Sequence, residues 1–326
     1  MKRIILLFLT LILALGISAQ EVVEKQAYTF AHRGEKELKI DLYQTSPEVQ
    51  PCLVYIFGGA FVTGVRDEPE VVEVYEYFAR RGWKVAAIDY RLGLVPLIEE
   101  PEVDRSLLDF RAMLIDAIDI AAQDLLEATA YLVYNAEQLG VDPARIVTLG
   151  SSAGAITACQ AEWEICNGGD SAALLPADFN YAGVISMAGA ICEATRKLEW
   201  KRKPCPMMLF HGDADRNVPY GTQSLFGVRL FGSESIAESL KRHGAPYWFY
   251  DAYNVDHSLS WRPMYFLRNE MERFLERMVF GGEPLQIHQV VDDKSLPDLE
   301  SDFGMKVYIE ANFTPEIPRG VEAAEY

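Results

Sequence analysis

Gly150-Ser151-Ser152-Ala153-Gly154 is the densest concentration of potential chemistry in the chain. A serine with glycines two before and two after it can stand at the tip of a tight strand-to-helix turn, where no neighbouring side chain crowds the bend and Oγ stays open to a substrate. Ser152 fits that place and Ser151 does not, because only Ser152 is centred between the glycines. The helix behind such a turn aims its positive end at negative charge forming near the serine. A hydroxyl is a weak nucleophile, so this chemistry needs a base to take its proton and an acid to orient that base. Among the five histidines, His32 precedes Ser152, while His211, His243, His257 and His288 follow it. The run His211-Gly212-Asp213-Ala214-Asp215 adds two candidate acids, and His257 lies in the polar stretch Asn254-Val255-Asp256-His257-Ser258. A second signal is Phe57-Gly58-Gly59-Ala60-Phe61, whose small residues let backbone N–H groups turn toward a substrate oxygen. The N–H groups of Gly59, Ala60 and Ala153 are therefore the candidate oxyanion hole, and the chemistry implied is acyl transfer.

The elements around these residues decide whether they can meet. Short apolar runs at 53–57, 85–88, 146–149, 183–186, 207–210 and 247–250 read as strands, bounded by Gly, Pro or Asp. Helical spacing occupies 68–81, 112–139, 153–166, 233–242 and 263–279. Strand and helix in alternation predict an α/β fold: a mostly parallel central sheet with helices on both faces. Residues 28–32 and 37–43, around Arg33-Gly34-Glu35, predict an antiparallel hairpin at its start. Each candidate residue follows one of the apolar runs, so all would gather at the carboxyl edge of that sheet.

With F-G-G-A-F, D-Y-R, G-S-S-A-G, H-G-D-A-D and D-H in this order, the chain resembles the α/β-hydrolase superfamily over about 51–279. It is most similar to the small carboxylesterases of the hormone-sensitive-lipase-like and acetyl or feruloyl esterase kind. The resemblance implies an α/β-hydrolase fold and ester hydrolysis by Ser152, Asp215 and His257, with Asp213 as the second candidate acid. It implies no cofactor. One departure is visible: Phe57 and Ala60 stand where those esterases usually show the first and last residues of H-G-G-G, although the backbone donors survive both changes. Asp89-Tyr90-Arg91 is expected to hydrogen-bond internally beside the oxyanion loop. His211 is expected to brace the acid loop, His243 to cap a helix, and His288 to take no part in catalysis.

Irregular stretches at 93–110, 163–179 and 191–203 are the expected substrate walls. Phe61, Trp163 and Trp261 are the candidate substrate contacts, with Leu97, Phe179 and Trp200 as further wall residues. The expected substrate is a small-molecule or polysaccharide-linked ester, on the analogy of acetyl or feruloyl esters of plant polysaccharide. Two other classes share parts of the pattern. A serine peptidase of the prolyl-oligopeptidase type has the same triad but an N-terminal propeller not seen here, and a non-catalytic member of the fold would lack part of the triad.

Composition narrows the setting. The chain has 326 residues, 50% of them hydrophobic, with 30 Lys and Arg against 48 Asp and Glu, a formal charge of -18. A surface so acidic repels phosphate backbones, which argues against nucleic acid as a partner. Residues 1–19 have a signal-peptide layout: Lys2 and Arg3, an apolar run at 4–15 broken by Thr10, then Gly16-Ile17-Ser18-Ala19. That run covers only about 18 Å as a helix, short of the roughly 30 Å of a bilayer core. Cleavage after Ala19 and a secreted or periplasmic protein without a membrane span are expected, the mature charge becoming -20 once Lys2 and Arg3 are lost. The catalytic domain is expected over 20–280, and 281–326 as an acidic C-terminal extension in which only 307–309 resembles a strand. Glu99, Glu100, Glu102 and Asp104 lack regular ligand spacing, and the five cysteines form no C-x-x-C pair, so no metal is expected. Cys159 and Cys166 would stand about 10.5 Å apart along one helix, too far to bridge.

Overall fold

The computed structural model describes residues 22–99, 107–225, 228–295 and 298–313. The stretch 1–19, expected to be a signal peptide, and the acidic residues Glu100, Glu102 and Asp104 lie outside the described residues.

The chain opens with the expected hairpin, β1 (Glu24–Arg33) and β2 (Lys36–Gln44), paired antiparallel through a turn at Gly34. After it come β3 (Gln50–Ile56), β4 (Lys84–Ile88), β5 (Val141–Ser151) and β6 (Gly183–Met187). The later strands are β7 (Ala190–Glu193), β8 (Met207–Gly212), β9 (Thr222–Leu225), β10 (Val228–Gly232), β11 (Tyr247–Ala252) and β12 (Gln286–Val291). Nine of them form one sheet in the order β1-β2-β4-β3-β5-β6-β8-β11-β12. From β4 to β12 every neighbour runs parallel. Such strands are covered on both faces, which is why β4 and β6 are buried along their full length and read as mainly apolar runs.

Crossover helices supply the cover: Pro69–Ala79, Leu107–Tyr134, Ala153–Asn167 and Ser233–Arg242. The expected helix at 263–279 is instead three pieces, Pro263–Phe266, Arg268–Phe274 and a π-helical turn Leu275–Phe280, with the first break at Leu267. Three short strands escaped the sequence reading: β7, β10 and β9 form a separate antiparallel sheet, and each has only four or five residues.

The segment beyond 280 departs from expectation twice. Gln286–Val291 is a strand, pairing with β11 and extending the sheet past residue 280. Its alternation of exposed and half-buried side chains is that of an edge strand, so it lacked an apolar run to announce it. The stretch 307–309, which resembled a strand, lies inside the helix Met305–Phe313. That helix turns Tyr308 and Phe313 onto the ring of Phe110, and this packing overrides the β-branched character of Val307 and Ile309. Among the described residues, no helix is long and apolar enough to cross a membrane.

Candidate active site

β5 runs directly into Ser152, whose backbone sits at φ 51° and ψ −117°, left-handed geometry that costs a residue with a Cβ free energy. The turn is held on both sides. Ser152 N–H donates to the Met187 carbonyl (2.9 Å) at the end of β6, and the Ser152 carbonyl accepts from Ala155 N–H (2.8 Å) and Ile156 N–H (2.9 Å) in the first turn of the Ala153–Asn167 helix. The two flanking glycines are sterically required. A Cβ on Gly150 would stand 2.3 Å from the Gly154 carbonyl oxygen, and one on Gly154 would stand 2.1 Å from the Ile56 carbonyl oxygen at the end of β3.

Asp215 and His257 come from the loops after β8 and β11, which are neighbours in the sheet. His257 Nε2 stands 2.8 Å from Ser152 Oγ, and His257 Nδ1 stands 2.7 Å from Asp215 Oδ2. Asp215 is fully buried, and burial alone would push its pKa up. The charge of His257 and hydrogen bonding from His211 outweigh burial and hold it well below the usual carboxylate range. An ionised Asp215 can only accept, so Nδ1 carries the imidazole proton and Nε2 is left to accept from the Ser152 hydroxyl. The other carboxylate oxygen, Oδ1, accepts from the N–H groups of Asn217 (2.8 Å) and Val218 (2.9 Å).

Asp213, the second candidate acid, does not reach His257 by any hydrogen bond among the described residues. Its Oδ1 accepts from Asn254 N–H (2.5 Å), tying the loop that bears Asp215 to the loop that bears His257. His211 is fully buried, with Nε2 3.2 Å from Asp215 Oδ2 and 3.3 Å from the Val218 carbonyl. Both partners accept, so Nε2 carries the proton and Nδ1 accepts from the Ser233 hydroxyl 2.8 Å away. Ser233 had no sequence signal of its own; it is the first residue of a helix and becomes visible only through the fold.

The candidate oxyanion loop turns directly from β3. Gly59, Ala60 and Phe61 all have positive φ (120°, 54° and 59°), which swings the backbone away from the strand direction. Among the described residues, the N–H groups of Gly59, Ala60 and Ala153 have no protein acceptor. Gly58 is the closest approach to the nucleophile: a Cβ there would meet Ser152 Cβ at 3.2 Å. The D-Y-R run supports this loop internally, as expected. Tyr90 OH donates to the Phe57 carbonyl (2.9 Å), Asp89 pairs with Arg66 (2.8 Å), and Arg91 pairs with buried Asp124 (2.8 Å). The Phe57 ring packs on Tyr90 with centroids 4.4 Å apart.

The three candidate substrate contacts fare differently. Phe61 is wholly buried against Tyr90, next to the candidate oxyanion donors. Trp261 directly follows the short helix His257–Ser260 and packs on Tyr265, so it lies near the base. Trp163 is not brought to the site. It sits eleven residues beyond Ser152 in one helix, about 16 Å along its axis, beside Asp119, Glu164 and Glu193 in a separate cleft. Of the further wall residues, Trp200 is buried with Nε1 on Ser239 Oγ (3.0 Å), Phe179 packs on Tyr181, and Leu97 is buried. His243 closes the helix Ser233–Arg242 by contacting the Ser239 carbonyl (2.8 Å), and His288 in β12 meets Asp251 (2.7 Å). All five cysteines are free and buried; burial pushes the thiols of Cys52, Cys159 and Cys192 up to about 12.

No protein-family model matches the chain. Lipase 2 of Moraxella sp. (strain TA144) is 26% identical over 144 residues, a segment that is 42% of this chain and only 28% of that protein. Among solved structures, esterase 2 of Thermogutta terrifontis phosphorylated by paraoxon matches with a TM-score of 0.53 at 21% identity, covering 77% of this chain and 94% of that one. Its propionate-bound form matches with a TM-score of 0.53 at 21% identity, covering 78% and 95%. Its apo form matches with a TM-score of 0.54 at 20% identity, covering 80% and 96%. A mostly parallel nine-stranded sheet with helices on both faces, together with this likeness over most of both chains, establishes the α/β-hydrolase fold.

Proposed function

We propose that this chain is a serine carboxylic-ester hydrolase. The observation that carries the reading is the unbroken hydrogen-bond chain from Asp215 through His257 to Ser152. Ser152 Oγ attacks the ester carbonyl while His257 Nε2 takes its proton, and Asp215 stabilises the imidazolium that results. The carbonyl oxygen becomes an oxyanion facing the N–H groups of Gly59, Ala60 and Ala153, at the positive end of the Ala153–Asn167 helix. Collapse expels the alcohol, which receives the proton from His257. Water, activated by the same base, then releases the acid and restores Ser152. No cofactor is needed at any step.

The similar proteins are named a lipase and an esterase, and structures of the Thermogutta enzyme hold propionate and butyrate. These names support short acyl groups as the substrate class. Acetyl or feruloyl esters of plant polysaccharide, and kinship with hormone-sensitive-lipase-like esterases, are the finer part of the proposal and rest on the sequence resemblance. Export belongs to the same reading, supported by Lys2 and Arg3 ahead of the apolar run and by Ala19 at its end.

The deciding experiment uses p-nitrophenyl acetate, butyrate and octanoate, methyl ferulate and a proline amide, with wild type and Ser152→Ala side by side. Turnover of the short esters by wild type alone, and a paraoxon adduct on the Ser152 peptide, are the results expected. Preference for the amide, or unchanged hydrolysis by Ser152→Ala, overturns the reading. A chain beginning at Gln20 in the periplasm or medium is the expected result for export; the intact chain retained in cells contradicts it.

A further inference from the structure

The segment beyond β12 lies along the carboxyl edge of the sheet and touches both loops that carry the acid and the base. Leu299 N–H donates to Asn254 Oδ1 (2.5 Å), three residues before His257. Gln223 Nε2 donates to the Phe303 carbonyl (2.9 Å). At the end of the helix Met305–Phe313 two asparagines clasp each other: Asn217 Nδ2 donates to Asn312 Oδ1 (3.3 Å) and to the Ala311 carbonyl (3.2 Å), and Asn312 Nδ2 donates back to the Asn217 carbonyl (3.1 Å). The same helix is also anchored by Tyr308 and Phe313, whose rings lie 5.9 and 5.5 Å from that of Phe110.

Asn217 is the joint between this segment and the triad. Its carbonyl is taken by Asn312, while its N–H is one of two backbone donors that hold Asp215 Oδ1. The Asn217 carbonyl also shares one planar peptide unit with the Val218 N–H, the second donor to Asp215 Oδ1, so those two groups move together. A segment that only covered apolar surface would need the aromatic contact with Phe110, but not a reciprocal clasp on the residue that holds the acid.

We propose that residues 298–313 are a positioning element for the triad, with Asn312 acting through Asn217 to hold Asp215 in line with His257. The inference rests on the proposed esterase reading. A catalytic group misplaced by about 1 Å can lose about 100-fold in rate, and a smaller displacement loses less. The contribution of Asn312 should therefore appear in kcat.

The test uses full-length Asn312→Ala, Asn217→Ala and the double variant. It measures kcat and KM for p-nitrophenyl butyrate, the melting temperature, and the fraction of enzyme whose Ser152 reacts with paraoxon. Asn312→Ala is expected to lower kcat per reactive site by about tenfold with KM within about twofold. The double variant should lose less than the sum of the two single losses, since each side chain is one half of the same clasp. If Asn312→Ala does not fold, Asn312→Asp takes its place under the same criteria, keeping the acceptor for Asn217 Nδ2 and losing the donor to the Asn217 carbonyl. A kcat per reactive site within about twofold of wild type, or strictly additive losses in the double variant, overturns the inference. Failure of the esterase reading looks different: wild type would hydrolyse no ester, or Ser152→Ala would remain active.

Discussion

His211 Nε2 stands 3.2 Å from Asp215 Oδ2, the same oxygen that receives His257 Nδ1 at 2.7 Å. The acid is therefore shared between a partly exposed histidine that meets Ser152 and a wholly buried one that does not. Two imidazoles and two backbone N–H groups stabilise the carboxylate form, and they outweigh the cost of its burial. Because the folded pKa lies below the unfolded one, this group stabilises the fold above the unfolded value, and the contribution is lost as pH falls through the folded one. His211→Ala removes a donor and leaves the Ser233 hydroxyl and Val218 carbonyl short of a partner. A loss of about 2 kcal/mol in stability and about tenfold in kcat/KM is expected, with acid unfolding beginning at higher pH than in wild type. Denaturant titration at pH 7 and an acid titration from pH 5 to pH 2 check it; an unchanged acid transition would mean that His211 only fills space.

Backbone strain at Ser152 predicts a trade between stability and activity. Its φ of 51° and ψ of −117° suit glycine, while any residue with a Cβ carries the cost of that conformation. Ser152→Ala and Ser152→Gly both remove the nucleophile, but only the second relieves the strain. Ser152→Gly should be more stable than Ser152→Ala by about 1 kcal/mol. Equal melting temperatures for the two inactive variants would count against strain at this turn.

The legibility of the site in the sequence follows from the same geometry. Ser152, Asp215 and His257 each stand shortly after an apolar run, and such runs are visible because a parallel strand buried on both faces has no polar face to interrupt it. The choice between Asp213 and Asp215 was not legible from the residues, since both leave the same turn. It depends on which carboxylate faces His257 and which faces Asn254, a contact across strands. Trp163 misled because its ring suggested a pocket wall while its place in the helix set it a long way from Ser152. β12 and the Asn217–Asn312 clasp were hidden for a common reason. An edge strand with alternating exposure carries little apolar signal, and a hydrogen bond between residues 95 apart has no local pattern at all.

Gly58 tests the oxyanion loop without touching its donors. A Cβ at this position would meet Ser151 O at 3.1 Å and Ser152 Cβ at 3.2 Å, so one partner must yield by a few tenths of an ångström. The loop is anchored by the Tyr90 hydroxyl on the Phe57 carbonyl and Ser152 by its bonds to Met187, Ala155 and Ile156, so relief of the contact must displace one anchored partner relative to the other. Gly58→Ala should lower kcat/KM by about tenfold while the melting temperature changes little. Restoration by Gly58→Ala/Ser151→Gly is not expected, because the Ser151 carbonyl and Ser152 Cβ both remain. Full activity in Gly58→Ala would place the donors elsewhere.

Glu162 gives the fold a pH dependence opposite in sign to that of Asp215. It is fully buried in the Ala153–Asn167 helix, where Oε1 accepts from Cys205 N–H (2.8 Å) and from the Cys166 thiol (3.3 Å). Burial dominates over these bonds and pushes its pKa up from 4.5 to about 7. Between those two values the folded state holds a proton that the unfolded chain releases, so stability falls as pH rises through the window. The loss is on the order of 3 kcal/mol, complete above the folded pKa and absent below the unfolded one. Glu162→Gln mimics the protonated carboxyl: its amide oxygen can still accept from Cys205, and Asn180 can turn its own oxygen toward the new amide nitrogen. The variant should match wild type near pH 4, exceed it at pH 8, and lose most of the slope between them. Denaturant midpoints at half-unit steps from pH 4 to pH 8 measure that slope; a parallel pair of curves would show that Glu162 is already ionised in the folded protein and that its hydrogen bonds outweigh its burial.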